Sequence, residues 1–337
     1  MSVLDVFTPD AFGVKAMTDA ILKIPFIPGR AGQVAGWQES GIATTSIMLE
    51  EKDGVLTFVN PTKRGSPGSS VAKQKRTART LNVPHYQIDD GINADEVQGI
   101  RAFGEESMTQ TVMALVNQRL AEFVQQGMDP TLEYQRLGAL KGVIVNADAS
   151  TLYDLFSEFG VTQTTEFNLE ANVDNSATGA MRKVCASIVR SVAESLGGRP
   201  FSGIHALCGD ALWEDLITNK EVVQTYLNQA EASQLRGNIA YEAVDFGGIR
   251  WENYRGSING SAMIHTDKAH IFPVGVPGLF RTVYSPGDWV ETVNTLGLPR
   301  YARQYPMHNG KGVHLEVQMN ALSYCTQPAV LKIARRT

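Results

Sequence analysis

The chain has 337 residues, 43% of them hydrophobic and 19% charged, with 30 Lys and Arg against 35 Asp and Glu for a formal net charge of −5. That length exceeds the usual single domain, so one large irregular domain or two intimately joined ones is expected, and the composition excludes disorder over the whole chain. The charge balance excludes a long basic face for duplex DNA, and no apolar run reaches membrane-spanning length.

The first thirty residues mix a short amphipathic pattern (Phe12, Val14, Met17, Ile21, Leu22) with KIPFIPGR, where Pro25 and Pro28 stop a helix. They predict a docked arm with a short helix around Ala11 to Leu22; an ordinary N-terminal helix on its own domain is the other interpretation. Asp5, Asp10 and the lack of a basic leader argue against a secretory signal.

Residues 44–59 hold two β-prone runs around Lys52, Asp53 and Gly54, turn residues that favour positive φ, and predict a hairpin. Then follows NPTKRGSPGSSVAKQKRTART, with Lys63, Arg64, Lys73, Lys75, Arg76 and Arg79 and no acid among them. A segment so poor in apolar residues cannot bury itself and predicts a mobile extension.

At Asn93 a helix is expected to start, because Glu96 stands three residues on in a capping-box-like pair. Its stripe (Val97, Ile100, Phe103, Met108, Val112, Leu115, Val116, Phe123, Val124) keeps a period near 3.6 and predicts one helix over 94–126. Asp129 followed by Pro130 predicts a second helix over 130–140.

Val143–Val145 and Leu152–Phe156 flank the turn residues Asn146 to Ala149 and predict an exposed hairpin. Residues 177–196 read as a helix with Met181, Val184, Cys185, Ile188, Val192 and Leu196 on one side, ended by Gly197 and Gly198. Over 203–273 the pattern alternates: a strand GIHALCG, helices over 210–217 and 220–229, and strands near 241–246, 249–254 and 262–272. That is a compact α+β unit. Residues 279–334 read as mostly strand, and no repeat of twenty to fifty residues occurs.

Catalytic signatures are missing. Neither a phosphate loop nor a G-x-G-x-x-G occurs. None of the six histidines stands three or four from another on a predicted helix, and His265 and His270 fall on one predicted strand at odd spacing, hence on opposite faces. The most enzyme-like stretch, GIHALCGDALWEDL, offers Cys208 or Asp210 at a helix start, but Asp210 suits a helix cap and the spacing of a nucleophile elbow is absent. Cys185, Cys208 and Cys325 are odd in number without a CxxC pair, which argues against a disulfide framework or structural zinc. No catalytic, cofactor-binding or metal-binding residue is therefore expected.

The order of elements (arm, hairpin with a long basic tip, long helix, hairpin, compact α+β unit, terminal strands) resembles the HK97 fold. DAILKIPFIPGRAGQ, VPHYQIDDGINADEVQGIRAFG, LVNQRLAE and RLGALKGVIVNADASTLYDLFSEFGVTQ are more specifically similar to the phage major capsid protein E family of lambda-like phages, over nearly the whole chain. The resemblance implies an N-terminal arm over 1–42, an E-loop over 43–92, and a P domain over 93–176 with a spine helix to Gly127. An A domain over 177–274 and returning P-domain strands over 275–337, including Val313 to Cys325, complete it.

It also implies a structural protein of the virion, made in the host cytoplasm. Its copies would form hexamers and pentamers of an icosahedral shell around double-stranded DNA, without sequence-specific binding or a membrane. A portal protein and possible scaffold and decoration proteins are the implied partners. The expected intersubunit contact brings Lys63, Arg64, Lys73, Lys75, Arg76 and Arg79 of one loop to Asp95, Glu96, Glu105 and Glu106 of a neighbour, with Asp89 and Asp90 close by. A Lys to Asn cross-link, known in some such shells, could involve only Lys73 or Lys75 with Asn309. An encapsulin-like compartment shares the fold and would differ in its contents, while a soluble α/β enzyme on residues 203–273 would need a concave site of convergent polar groups.

Overall fold

The computed structural model describes residues 17–18, 21–22, 29–52, 76–97, 108–173, 179–227, 243–258, 261–308 and 310–337. Of the expected arm helix, Met17, Thr18, Ile21 and Leu22 are helical, and Met17 and Ile21 are buried.

Along the chain come α1 (Arg30–Val34), β1 (Gln38–Gly41), β2 (Ser46–Lys52), β3 (Arg76–Asn82), β4 (Tyr86–Asn93), α2 (Ala94–Val97), α3 (Met108–Phe123), a π-helical turn (Val124–Met128) and α4 (Asp129–Lys141). Then follow β5 (Val143–Val145), β6 (Thr151–Asp154), α5 (Leu155–Phe159), β7 (Phe167–Asn168), α6 (Ala180–Leu196), β8 (Gly203–Cys208), α7 (Asp210–Thr218) and α8 (Lys220–Leu227). The last third holds β9 (Val244–Phe246), β10 (Ile249–Asn253), β11 (Ser257–Ile258), β12 (Ser261–Ala262), β13 (Lys268–Val274), β14 (Phe280–Tyr284), β15 (Tyr301–Pro306), β16 (Gly312–Met319), β17 (Ala321–Cys325) and β18 (Lys332–Arg335).

The hairpin expected around Lys52 to Gly54 is corrected. β2 pairs antiparallel with β3, Ser46 opposite Asn82 through Lys52 opposite Arg76, so the ribbon closes across residues 53–75 rather than at a tight turn. The extension expected over 60–80 therefore ends in a paired strand from Arg76 onward, and its remaining part lies outside the described residues. At the base of the ribbon the Tyr153 hydroxyl takes the Asn82 N–H at 2.9 Å and donates to the Asn82 carbonyl at 2.9 Å.

The capping pair forms, with the Asn93 N–H donating to Glu96 Oε1 at 3.3 Å. Residues 98–107, the middle of the expected 94–126 helix, lie outside the described residues. At its far end the expectation of two helices is corrected: α3, the π turn and α4 run on without a break to Lys141. Pro130 has no N–H for the carbonyl four residues back, which in an α-helix would leave a break or a kink. The π turn shifts the register instead, with the Asp129 N–H reaching the Val124 carbonyl. The Thr131 hydroxyl donates to the Gly127 carbonyl at 2.7 Å. Gly142 ends the run at φ +84°, and a side chain there would strike the Phe156 ring.

The β5–β6 hairpin stands where expected, but the run after it changes character at Asp154, whose carboxylate accepts from the Phe156 and Ser157 N–H groups and opens α5. In α6 the expected stripe is buried at Met181, Cys185, Ile188, Val192 and Leu196, and Gly197 closes the helix at φ 61°. Gly209, not Asp210, is the N-cap of α7; the Asp210 carboxylate instead accepts from Asn253 Nδ2 at 2.9 Å. The strand expected over 262–272 begins only at Lys268, because Ser261 and Ala262 pair back on β11, so His265 and His270 do not share a strand. Between β14 and β15, residues 285–300 form a loop with one 3₁₀ turn, Val290–Thr292, instead of strand.

Three main sheets result. Six strands run β7-β18-β13-β8-β10-β9, with β8 and β10 parallel; three run β15-β16-β4, all antiparallel; and three run β1-β14-β17. The larger core joins α5, α6, α7 and α8 with the six-stranded sheet. The smaller one sets Val116, Leu120, Val124 and Leu132 of the long helix against Leu315, Val317 and Met319. Spacings of four residues put those helix side chains on one face, and period-two alternation does the same on β16.

Candidate assembly surfaces

Cys208 lies on β8 and is fully buried, and burial pushes its thiol far up. Burial raises Cys185 and Cys325 to about 12, so none of the three offers a thiolate at neutral pH. Among the described residues, no group of three or more His, Cys, Asp or Glu could hold a metal ion, and no helix is long and apolar enough to cross a membrane.

Of the residues expected at an intersubunit contact, Lys63, Arg64, Lys73, Lys75, Glu105 and Glu106 lie outside the described residues, as do Asn309 and so the whole candidate cross-link. Arg76 and Arg79 stand on β3. The Arg79 Nε is buried without a hydrogen-bond partner and its guanidinium reaches Gly160 at the end of α5. Asp95 and Glu96 are on α2, where Glu96 Oε2 accepts from Arg119 Nη2 at 3.1 Å. Part of the acid expected to meet a neighbour is thus already met within the subunit.

A polar clasp that the sequence gave no reason to expect holds the segment after Gly29. Glu133 of α4 accepts the N–H of Ala31 at 2.6 Å, the N–H of Gly32 at 3.0 Å and the Tyr254 hydroxyl at 3.1 Å. A side chain at Gly29 would collide with that carboxylate, so glycine is needed there for close approach. Beside it, Arg30 Nη2 donates to Glu252 Oε2 at 2.7 Å, and His205 Nε2 lies 3.1 Å from the same oxygen. Burial alone would raise the Glu252 carboxyl, but hydrogen bonds from His205 and Arg30 outweigh it and hold it at about 2. Arg136 bonds Glu39 Oε1 at 2.5 Å and stacks over Trp37, whose ring centroid is 5.3 Å away; Glu39 Oε2 takes the Tyr284 hydroxyl at 2.9 Å.

The loop 285–300 shows the most exposed apolar side chains of the described residues. Val290 is 86% exposed, Val293 61% and Leu296 68%. The loop is nonetheless tied down at many points. Trp289 is buried, donates to Glu316 Oε1 at 3.2 Å and meets the Tyr301 ring edge-on at 6.2 Å. The Thr292 hydroxyl donates to the Gly287 and Trp289 carbonyls at 2.7 and 2.8 Å, and Gly297 N–H bonds the Ile42 carbonyl at 2.9 Å. An apolar surface held in one shape and left to water is the physical signature of a contact site. SPGDWVETVNTLGLPR carried the signal for it, since turn residues interleaved with Val and Leu cannot form a buried strand.

A subunit with buried thiols, a fastened N-terminal segment, a paired ribbon reaching out from β2 and β3, and a rigid apolar loop is built for contact with other chains. The model of the family described as phage major capsid protein E matches residues 13–336. The chain belongs to that family. It is similar to the major capsid protein of Pseudomonas phage KPP10, 25% identical with 94% of each chain covered, and to that of Salmonella phage Felix O1, 22% identical with 95% of each covered. Its fold matches the putative capsid protein of a prophage of E. coli CFT073 at a TM-score of 0.54, with 13% identity over 94% of this chain and 95% of that one. The α+β architecture is thus that of the HK97-type capsid proteins, as the order of elements implied.

Proposed function

We propose that this member of the family is the major head protein of a tailed bacteriophage, whose copies form hexamers and pentamers of an icosahedral shell around double-stranded DNA. The match of the family model over residues 13–336 carries this reading. Within it, residues 1–42 serve as the N-terminal arm, 43–92 as the E-loop containing the β2–β3 ribbon, and 93–176 with 275–337 as the P domain. Residues 177–274, with most of the six-stranded sheet, serve as the A domain. The basic residues Lys63, Arg64, Lys73, Lys75, Arg76 and Arg79 reach acids near Asp95, Glu96, Glu105 and Glu106 of a neighbour, and the apolar loop around Val290 meets a second subunit.

The chain acts without turnover chemistry, needs no cofactor, is made in the host cytoplasm and ends in the virion. A portal protein and possible scaffold and decoration proteins complete its partners. Both curated relatives named above are phage capsid proteins, which favours a DNA container over an encapsulin-like compartment. Electron microscopy and light scattering of the expressed chain test the proposal. Closed shells, tubes or rings are expected; a stable monomer under all assembly conditions would overturn it.

A further inference from the structure

A cavity of about 660 Å³ opens at the start of α7, between that helix and the end of β10, lined by Asp210, Trp213, Glu214, Asn253 and Arg255 among others. Two buried polar atoms of its lining residues have no hydrogen-bond partner: the Trp213 Nε1, on a side chain 2% exposed, and the Asn253 Oδ1. The second is no accident of amide orientation, because Asn253 Nδ2 donates to Asp210 Oδ1 at 2.9 Å and so turns Oδ1 away from that carboxylate. Buried polar groups are almost always paired, and leaving one unmet costs a folded chain more than replacing it with an apolar group would. A donor and an acceptor left unmet beside the same cavity therefore point to an occupant that offers both an acceptor and a donor.

A peptide group offers that pair. Asp210 and Glu214, four residues apart and hence on one face of α7, are both exposed at the mouth and favour a cation beside it. Arg255, also exposed, leaves the three groups with one net negative charge. The chain itself carries matching cations: Lys183 and Arg190 are exposed on α6, and neither forms an ion pair among the described residues. We propose that the cavity is a socket for a basic segment of a second copy of this chain, its peptide group meeting Trp213 and Asn253 and its cation meeting Asp210 and Glu214. This rests on the shell-forming reading above and names one contact within it. A socket on one surface filled by a different surface of the next copy is a head-to-tail contact, the kind that closes into rings.

The test uses the full chain, with sedimentation to follow association and thermal melting of the dissociated subunit to follow the fold. Trp213→Phe removes the indole N–H and keeps an aromatic ring. It should leave the subunit folded with a nearly unchanged melting midpoint, yet raise the concentration needed for association about tenfold. Glu214→Lys, at an exposed site, should weaken association and flatten its salt dependence. Wild-type association in either variant overturns the socket while leaving the shell-forming reading intact. A wild-type chain that never associates overturns that reading and the socket together. Loss in the variants of a co-purifying small molecule, seen by native mass spectrometry with association unchanged, also overturns the socket.

Discussion

Arg300 and Asp129 face each other at 2.5 Å between Nη2 and Oδ1, with side chains only 7% and 8% exposed. The pair ties the end of the 285–300 loop to the first residue of α4, just past the π turn, and thus couples the apolar loop to the long helix. Removing one partner of such a pair strands a buried charge, at a cost of roughly 3–5 kcal/mol, whereas replacing both with apolar residues can be nearly neutral. Arg300→Met alone should therefore destabilise the subunit strongly, and Asp129→Leu added to it should recover much of the loss. Denaturant melts of the four variants check this; equal losses in the single and double variants would refute it.

Two groups should make the subunit sensitive to acid in separate windows. His270 is buried, and burial with repulsion from Lys141 and Lys268 holds it down at about 3. Its unfolded form takes a proton near pH 6.5, so stability is full above that value and falls as pH drops toward 3. Glu252, held at about 2, contributes stability that is full above its unfolded pKa near 4.3 and is lost as pH falls to 2. His270→Gln should flatten the upper window and Glu252→Gln the lower one, as read from melting midpoints between pH 7 and 2.

Much of this fold was legible because periodicity reports burial directly. The stripes on α6 and on the helix through Val116, Leu120 and Val124 fell on the buried faces, and Gly197 ended α6 as its lack of a Cβ allows. What failed was pairing over distance. Nothing local to β2 told that its partner lay at Arg76–Asn82 across more than twenty residues, since a two-residue turn signal stood beside it. The Asp210 cap failed for a similar reason, because its partner Asn253 lies 43 residues away. The clasp of Glu133 on Ala31 and Gly32 was invisible, for one acid in a helix looks solvated until the fold brings another segment to it.

For the ribbon, six cations between Lys63 and Arg79 have no acid between them in sequence. Exposed pairs contribute about 0.2 to 1 kcal/mol each, but contacts repeated around a closed shell accumulate. Changing Lys73, Lys75 and Arg76 together to Glu should leave the subunit folded and impair shell assembly, and wild-type assembly should depend on salt. Normal empty shells from the triple variant with unchanged salt dependence would end the intersubunit role of this segment.

The loop 285–300 gives the sharpest separation of folding from assembly. Val290, Val293 and Leu296 contact water rather than the core, so their loss costs the isolated subunit little; Trp289 and Thr292 hold the loop from below and are buried. Val290→Asp with Leu296→Asp should therefore leave the melting midpoint of the dissociated subunit within a degree or two of wild type. The same change places two carboxylates where a partner's apolar surface would close, and burying unpaired charge there opposes association. Shell yield by sedimentation should drop at least tenfold. Trp289→Ala should act in the opposite order, lowering the midpoint first by removing a buried indole and its bond to Glu316, at a cost of about 3–5 kcal/mol for loss of a large aromatic side chain. Should the double Asp variant assemble as wild type does, this loop faces solvent in the shell and its rigidity serves the fold of β14 to β16 alone.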